Sequence, residues 1–418
     1  MKREVCLEKR ARKIVIIGAG PAGMCAGIFA ARAGADVLII EHGTEPGKKI
    51  LSTGGGRCNL TNVLMGTEYY PGADAGFTGD ALAAFGPAET AAFFDSIGLF
   101  TADRGGYVYP RSMNAASVRT LLVSACAAEG AEIRTGVRAK RIERQNGKII
   151  VSTVSEAEAG TVSCDRLIFA CGGTAAPASG SDGSGFAFLD RLGIPVTEPL
   201  PALVPLKGDA KRFRALAGIR AHAKASLFLD GRYTASDTGE VQFTQDTVSG
   251  IPVFNISGAA VRALKDGRRV SVVFDLLPEF REKDLMKTIF SHSMNMTLVT
   301  ALNGLLPGKV CSHFLKLAGL QDSAEQDIAD AGEDRVRELI RLLKDFSVEI
   351  RGHAGCERAQ TSTGGVRTED IDPRTMQVRK VPGVFIAGEM IDVTGICGGY
   401  NLQWAWTSGA LAGKAAAL

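Results

Sequence analysis

Three groups of residues in this chain have the types and spacing to do chemistry. The first is Gly18-Ala19-Gly20-Pro21-Ala22-Gly23, with an acid, Glu41, about 20 residues further on. In such a pattern the first glycine permits a tight turn. The second lets the backbone approach a diphosphate, and the third lets a helix pack closely on a strand. The helix N-terminus offers free N–H groups and a positive dipole end to the phosphates. The Glu41 carboxylate, with His42 beside it, is placed to accept hydrogen bonds from a ribose. The second group is Lys48-Lys49 followed by Gly54-Gly55-Gly56-Arg57-Cys58-Asn59, a cationic glycine-rich loop suited to wrapping a diphosphate and approaching a flat ring. The third is Gly388-Glu389, Asp392 and Gly398-Gly399-Tyr400-Asn401. It leads into a helix whose N-terminal dipole can stabilise negative charge on such a ring.

The elements that must position these residues are legible from hydrophobic pattern. Ile14-Val15-Ile16-Ile17 is a β-branched run suited to a strand buried on both faces. A small-residue helix from Met24 to Ala31 and a second strand, Asp36 to Ile40, complete a β-α-β unit. Arg166 to Thr174 reads as a further buried strand ending in Gly172-Gly173, and Pro382 to Ala387 as another, with a helix from about Leu402. In between, Leu82, Phe85, Phe93, Phe94 and Ile97 predict helices, Gly105 to Arg111 a turn and short extended piece, and Ser117 to Glu129 a helix. Segments 131–134, 137–144 and 148–153 read as one antiparallel meander turning at Asn146-Gly147. Residues 179–185 open a helix through Leu192. From Pro195 onward, Pro199, Pro201 and Pro205 predict a linker. Then come alternating strand segments at 223–230, 241–244 and 270–276, and helices over 279–346. Val336, Leu339, Ile340, Leu343 and Phe346 share a helix face, with Glu333 and Arg337 paired on the other. The expected class is α/β. A Rossmann-like dinucleotide domain is built from both chain ends (1–194 and 351–418), with a β-barrel-like insertion (195–278) and a small helical part (279–350).

Composition bounds the function. At 418 residues, with 45% hydrophobic and 22% charged residues, the chain has the makeup of a globular protein of more than one domain. Its net charge of +3 gives no reason to expect a nucleic-acid surface. The first residues lack the apolar core of a signal peptide, and the uncharged stretches Ile14–Ala31 and Val393–Gly413 are too glycine-broken to span a membrane. A cytoplasmic location follows. Nine scattered cysteines and five histidines show no metal spacing, so no metal site is expected and reduced thiols are. Cys58 stands without the partner a redox dithiol needs and reads as a packing residue.

With these motifs placed, the chain resembles a bacterial family of FAD-dependent flavoproteins, the aminoacetone-oxidase-like group that includes bile-acid-pathway reductases. The resemblance rests on Ile16 to Gly23, Lys48 to Leu51, Gly54 to Asn59, Ala170 to Gly173, and Gly388 through Trp406. It implies FAD contacts at Gly18 to Gly23, Glu41, Lys48, Lys49, the 54–59 loop, Val137 and the 388–401 segment. Where the family carries Phe-Thr-His-x-Gly-x-Ser-Gly-Pro, this chain has Phe243-Thr244-Gln245-Asp246-Thr247-Val248-Ser249-Gly250-Ile251-Pro252. No role for that histidine carries over.

The function expected is NADH- or NADPH-dependent reduction of an activated C=C bond, as in a 3-oxo steroid or bile-acid enone, by hydride from flavin N5. With one dinucleotide fingerprint, the nicotinamide is expected as a transient co-substrate and the substrate as a small apolar molecule. The alternatives are an amine oxidase using O₂ and a non-enzymatic FAD redox sensor. Tyr109, Arg111 and Tyr400 are the polar side chains nearest the cofactor motifs, and no catalytic role is assigned to them. Oligomeric state is left open.

Overall fold

The computed structural model describes residues 11–291, 296–325 and 327–418. The N-terminal segment read for a signal peptide, Cys6 and His292 lie outside the described residues. The chain forms two compact units. One comprises Met1–Pro199 and Thr361–Leu418, the other Leu200–Gln360.

The first unit is built on a five-stranded parallel sheet. Strand β1 (Lys13–Ile17) lies between β2 (Asp36–Ile40) and the strand Arg166–Phe169. Val384–Ile386 and Glu132–Arg134 form the two edges. Ile14 to Ile16, Leu167 to Phe169 and Val384 to Ile386 are buried, as strands covered on both faces require. Helix α1 (Pro21–Arg32) starts with proline in its first turn, where no N–H is needed. Its small residues let it lie tightly on the sheet. A Cβ on Gly27 would come 2.6 Å from Ile39 Cδ1.

Two expectations are corrected here. Glu132–Arg134 is not part of the antiparallel meander. It joins the parallel sheet beside β2, and the meander is Arg138–Gln145, Lys148–Val154 and Ala159–Cys164. The helix Ala115–Ala128 ahead of Glu132 makes the connection a crossover, which delivers a parallel strand. The proline-rich segment expected as a linker is a strand, Val196–Ala202. Pro199 and Pro201 are two apart, so both missing donors face one edge, which an edge strand tolerates.

The second unit is a closed six-stranded barrel, with strands in the order Leu206–Gly208, Thr247–Ser249, Arg232–Phe243, Arg220–Leu229, Val270–Asp275 and Phe346–His353. Asp230 and Gly231 turn the longest hairpin with φ of 52° and 79°, as the Asp-Gly pair predicts. Alternation along Arg220–Leu229 puts Ala221, Ala223, Ala225, Leu227 and Leu229 inside. Helix Glu333–Lys344 buries Val336, Leu339, Ile340 and Leu343 and pairs Glu333 with Arg337 on its exposed side. The architecture is thus the mixed α/β arrangement expected, a Rossmann-like domain with an inserted barrel and helices.

Candidate functional site

The candidate site is built at the carboxyl ends of the parallel strands in the first unit, where ligands of open α/β sheets bind. Gly18 leaves β1 with φ of 104° and donates its N–H to Ile40 O at 2.8 Å. A Cβ there would sit 2.4 Å from Ala170 O, so only glycine fits under the neighbouring strand. Gly23 is equally constrained, since its Cβ would meet Gly18 O at 1.9 Å. Gly20 is different. It caps α1 in an extended conformation, and a Cβ on it would find nothing within 4 Å. The turn is therefore closed at Gly18 and Gly23 and open at Gly20. Ala19 and Ala22 are buried and Pro21 half-buried in the turn.

Glu41 directly follows β2 at 9% exposure. Its Oε2 accepts from Ala19 N at 2.9 Å and its Oε1 from Gly43 N at 2.7 Å. The carboxylate thus straps the glycine turn to β2 and keeps lone pairs for another donor. His42 Nδ1 lies 3.6 Å from Glu41 Oε1, and Val137 donates its N–H to Glu41 O at 3.0 Å.

The loop after Gly47 is more ordered than the free loop its composition suggests. Lys48–Gly56 runs as 3₁₀ turns, broken where Thr53 turns extended and Gly54 and Gly55 turn left-handed, at φ of 57° and 65°. Gly55, Gly56 and Arg57 remain exposed, as does Lys48, and neither Lys48 nor Arg57 has an ion pair among the described residues. Lys49 turns inward. Its Nζ lies 2.7 Å from Glu389 Oε2 and 3.3 Å from Ala175 O, while Glu389 Oε1 accepts from Ser362 N at 2.8 Å and Ser362 Oγ at 2.7 Å. Cys58 is fully buried, and burial pushes its thiol up to about 12, which suits packing and not thiolate chemistry.

The terminal helix Tyr400–Ala417 closes the arrangement. Gly399 precedes it at φ of 96°, and a Cβ there would lie 2.7 Å from Thr61 O and 3.0 Å from Asn59 Oδ1. Asn401 clamps the preceding turn, accepting from Gly395 N at 2.9 Å and donating to Gly395 O at 2.8 Å. Asp392 Oδ1 accepts from Gly364 N at 2.8 Å. Gly388 donates to Ser408 Oγ at 2.8 Å, and a Cβ on it would touch Ala22 Cβ at 2.9 Å. Gly172 bends left-handed over Ser181, whose Oγ would be 2.5 Å from an added Cβ.

The short strand Tyr107–Pro110 brings two tyrosines to the same place. Tyr109 lies against Gly54, its Cε1 3.6 Å from where a Cβ would stand, and Tyr107 lies against Gly398. The Tyr109 hydroxyl has no partner among the described residues. Tyr400 stacks on Tyr69 with centroids 4.5 Å apart. Burial, reinforced by Tyr69 and Tyr107, holds its phenol protonated well above the usual range. Arg111 is exposed on the turn after Pro110.

The site thus gathers Gly18–Gly23, Glu41, His42, Val137, the 48–59 loop, Gly172 and the 388–401 segment in one unit. Sequence reasoning missed Ser362, which holds Glu389. It also missed the buried polar ladder Thr61–Gln403–Thr407, in which Thr61 Oγ1 donates to Gln403 Oε1 at 2.6 Å and Gln403 Nε2 to Thr407 Oγ1 at 3.0 Å. The ladder had a signal: polar residues four apart in an apolar helix. Ser362 had none.

Two observations test whether a flavin dinucleotide fits these residues. Of the turn's three glycines, only Gly20 has open space beside it, and there a diphosphate would approach the α1 N-terminus. Asn59 is buried, yet its Oδ1 has no hydrogen-bond partner among the described residues. Such an acceptor, between the glycine loop and the terminal helix, suits an N–H donor of a ring. The residues fit.

Comparison with known proteins agrees with this reading. Residues 12–415 match the family described as HI0933-like protein Rossmann domain. The 3-dehydro-bile acid delta(4,6)-reductase of Clostridium scindens is 41% identical, over 97% of this chain and 99% of the relative. The ribosomal RNA dihydrouridine synthase of Haemophilus influenzae is 30% identical, over 94% of this chain and 96% of the relative. A solved 3-ketosteroid delta1-dehydrogenase from Sterolibacterium denitrificans shares the fold, with a TM-score of 0.52 at 10% identity, over 97% of this chain and all of that one.

Proposed function

The chain belongs to the HI0933-like Rossmann family. Within it, we propose, it is an FAD-dependent oxidoreductase that reduces a C=C bond conjugated to a carbonyl, in a steroid- or bile-acid-like enone, with NADH or NADPH as donor. The observation that carries this is the meeting of the 54–59 loop and the N-terminus of Tyr400–Ala417 at an unpartnered acceptor, Asn59 Oδ1, in the unit that also holds the glycine turn.

The names of the relatives support the reaction class. A delta(4,6)-reductase saturates ring double bonds, and dihydrouridine differs from uridine by two hydrogens across a C=C conjugated to a carbonyl. Both are reductions of one bond type, which speaks for a reductase and against an amine oxidase. The higher identity to the bile-acid enzyme and the small net charge favour a small apolar substrate over RNA.

Gly18 to Gly23 would take the diphosphate at the α1 N-terminus. Glu41 would take the ribose, with His42 and Val137 on the adenosine side. Lys48, Lys49, Gly55, Gly56, Arg57, Cys58, Asn59 and Gly172 would frame the rest of the cofactor. Gly388, Glu389, Asp392, Gly399, Tyr400 and Asn401 would hold the pyrimidine edge. When bound, FAD supplies reversible hydride exchange, so donor and acceptor need only one ring and no second nucleotide domain. The terminal helix offers its positive end to charge at that edge. Tyr109, whose ring lies beside Gly54 and whose hydroxyl has no partner among the described residues, would deliver the proton that completes reduction at the α-carbon. Reduced thiols throughout the described residues suit a cytoplasmic place of work.

Anaerobic stopped-flow tests the reading. Purified yellow protein should be bleached by NADH or NADPH and recoloured by a 3-oxo-4-ene steroid, with uridine-containing RNA and O₂ as comparison arms. No bleaching by either nicotinamide, with bleaching by a primary amine such as aminoacetone and rapid reoxidation by O₂, would instead support the amine oxidase, and recolouring by RNA alone would move the substrate. Protein that binds no FAD would refute the assignment.

A further inference from the structure

We propose a second ligand site in the first unit, at the opposite end of the sheet from the glycine turn, that binds an amphipathic organic anion. Its centre is an open cleft of about 630 Å³ between the strand Arg138–Gln145, the end of helix Phe186–Arg191 and the turn before Val384–Ile386. Pro382, on its wall, precedes that strand, and Gly388, in the cofactor site, follows it. The extended strand Val384–Ile386 lies between them, so the two stand at opposite ends of it, at most about 20 Å apart. The cleft is therefore not part of the cofactor site.

Its lining has two characters. Ile142, Leu192 and Val381 give an apolar floor, and Arg144, Arg191 and Lys380 give a cationic rim. The single acid, Glu143, is engaged elsewhere, 2.7 Å from Arg141 Nη2. Arg144 donates to the Pro382 carbonyl, which orients the guanidinium without neutralising it. Lys380 has only a long contact, 3.8 Å, to Asp370, which Arg367 approaches more closely at 3.2 Å. Arg191 has no ion pair among the described residues. Behind the rim, Arg166 is held below the usual guanidinium range by burial first and then by the nearby charge of Arg12, with Arg144 adding less than Asp165 opposes. Like charges gathered so closely cost free energy that a bound anion would recover.

An inorganic anion would use the rim and leave the floor wet. A ring body carrying one carboxylate, sulfonate or phosphate would use both. Two sources offer that chemistry, a nucleotide and a steroid carboxylate.

The test is calorimetric titration of the FAD-loaded protein with ADP, cholate and inorganic phosphate, in wild type and in the double variant R191E/K380E. ADP or cholate should bind wild type more tightly than phosphate, and more weakly as salt rises. In the variant that ligand should lose at least about ten-fold in affinity, or about 1.4 kcal/mol, while FAD content by absorbance and enone turnover stay unchanged. Which of the two is lost identifies the source. Equal affinities in both proteins, or no binding of either ligand up to about 1 mM, would overturn the proposal. Loss of FAD from the variant would show that the cleft is not separate from the cofactor site and would also overturn the proposal, whereas wild-type protein that binds no FAD would refute the cofactor reading, so the two failures are distinguishable.

Discussion

Gly20→Ala separates the two jobs of the glycine turn. The wild-type residue lies at φ of −75° and ψ of −175°, a region any residue adopts, and an added Cβ meets nothing within 4 Å. The protein without FAD should therefore fold as before, with a stability change inside about 0.5 kcal/mol. The methyl group nevertheless fills the open flank through which a diphosphate reaches the α1 N–H groups. Charge-assisted hydrogen bonds of that kind are worth about 1.5–3 kcal/mol each. Losing or lengthening one predicts FAD affinity lowered by roughly 10- to 100-fold. Gly23→Ala is the contrast: its Cβ would lie 1.9 Å from Gly18 O, against backbone that cannot yield. The helix must move, at a cost of at least about 1–3 kcal/mol even without FAD. The assay strips the flavin, records the Tm of each apoprotein, then titrates FAD by fluorescence quenching. If Gly20→Ala binds FAD as wild type does, the diphosphate does not cross this turn and the reasoning fails.

Four further outcomes are expected. Glu41→Gln places an amide N–H against Ala19 N or Gly43 N, and should lower apoprotein stability by about 1–3 kcal/mol and weaken FAD binding, read by Tm and by the same titration. Tyr109→Phe should leave bleaching by NADH or NADPH unchanged while slowing steroid turnover by about 10²-fold or more; an unchanged turnover would remove Tyr109 from the chemistry. Burial lifts the thiols of Cys58, Cys126, Cys164 and Cys171 to about 12, from 9.0 when free. A raised native value stabilises the folded state fully below pH 9 and loses that contribution between pH 9 and 12, at about 1.4 kcal/mol per pH unit and thiol. Tm measured from pH 8 to 11 should fall steeply, and serine at these positions should flatten the fall. Gly413→Val, with its Cβ 2.2 Å from Ala26 O, should drive the terminal helix off α1 and cost at least about 1–3 kcal/mol, seen as a lowered Tm and a weaker hold on FAD.

What could be read from the sequence was what period and glycine spacing encode. The β-α-β unit, the strand ending at Phe169 and the strand ending at Ile386 were legible because fully buried parallel strands are continuous apolar runs. The Asp230-Gly231 hairpin was legible because its turn needs left-handed residues. Glu132–Arg134 was misplaced because three residues next to a true meander carry no sign of parallel or antiparallel pairing. That is set by the crossover helix before them. Val196–Ala202 was misread because prolines usually break strands, and nothing local shows that both of its prolines face one edge. At the site, the positions of the glycines were readable and their partners were not. Ser362 holds Glu389 from 27 residues away, and Tyr109 meets Gly54 through strand pairing alone. Such contacts are made by tertiary placement, which has no short-range pattern.

The glycine turn and α1 are held in place by close contacts from three distant stretches. Ala170 O lies under Gly18, Gly388 stands against Ala22, and Gly409 and Gly413 bring the terminal helix against Ala22 O and Ala26 O. Each contact excludes even a single methyl group, so none can be shifted without moving α1. The helix that offers its N–H groups to a diphosphate is therefore aimed by residues almost 400 positions away, at Gly409 and Gly413. The same terminal helix presents its own N-terminus beside Asn59 and Gly399. One rigid element thus sets the distance between the diphosphate end and the ring end of the site. A binding site for a long cofactor needs that distance fixed before binding, because ordering it afterwards would draw on binding energy. The unusual number of small residues in the terminal helix, where polar Gln403, Thr407 and Ser408 are also fully buried, is explained by this demand more directly than by helix propensity.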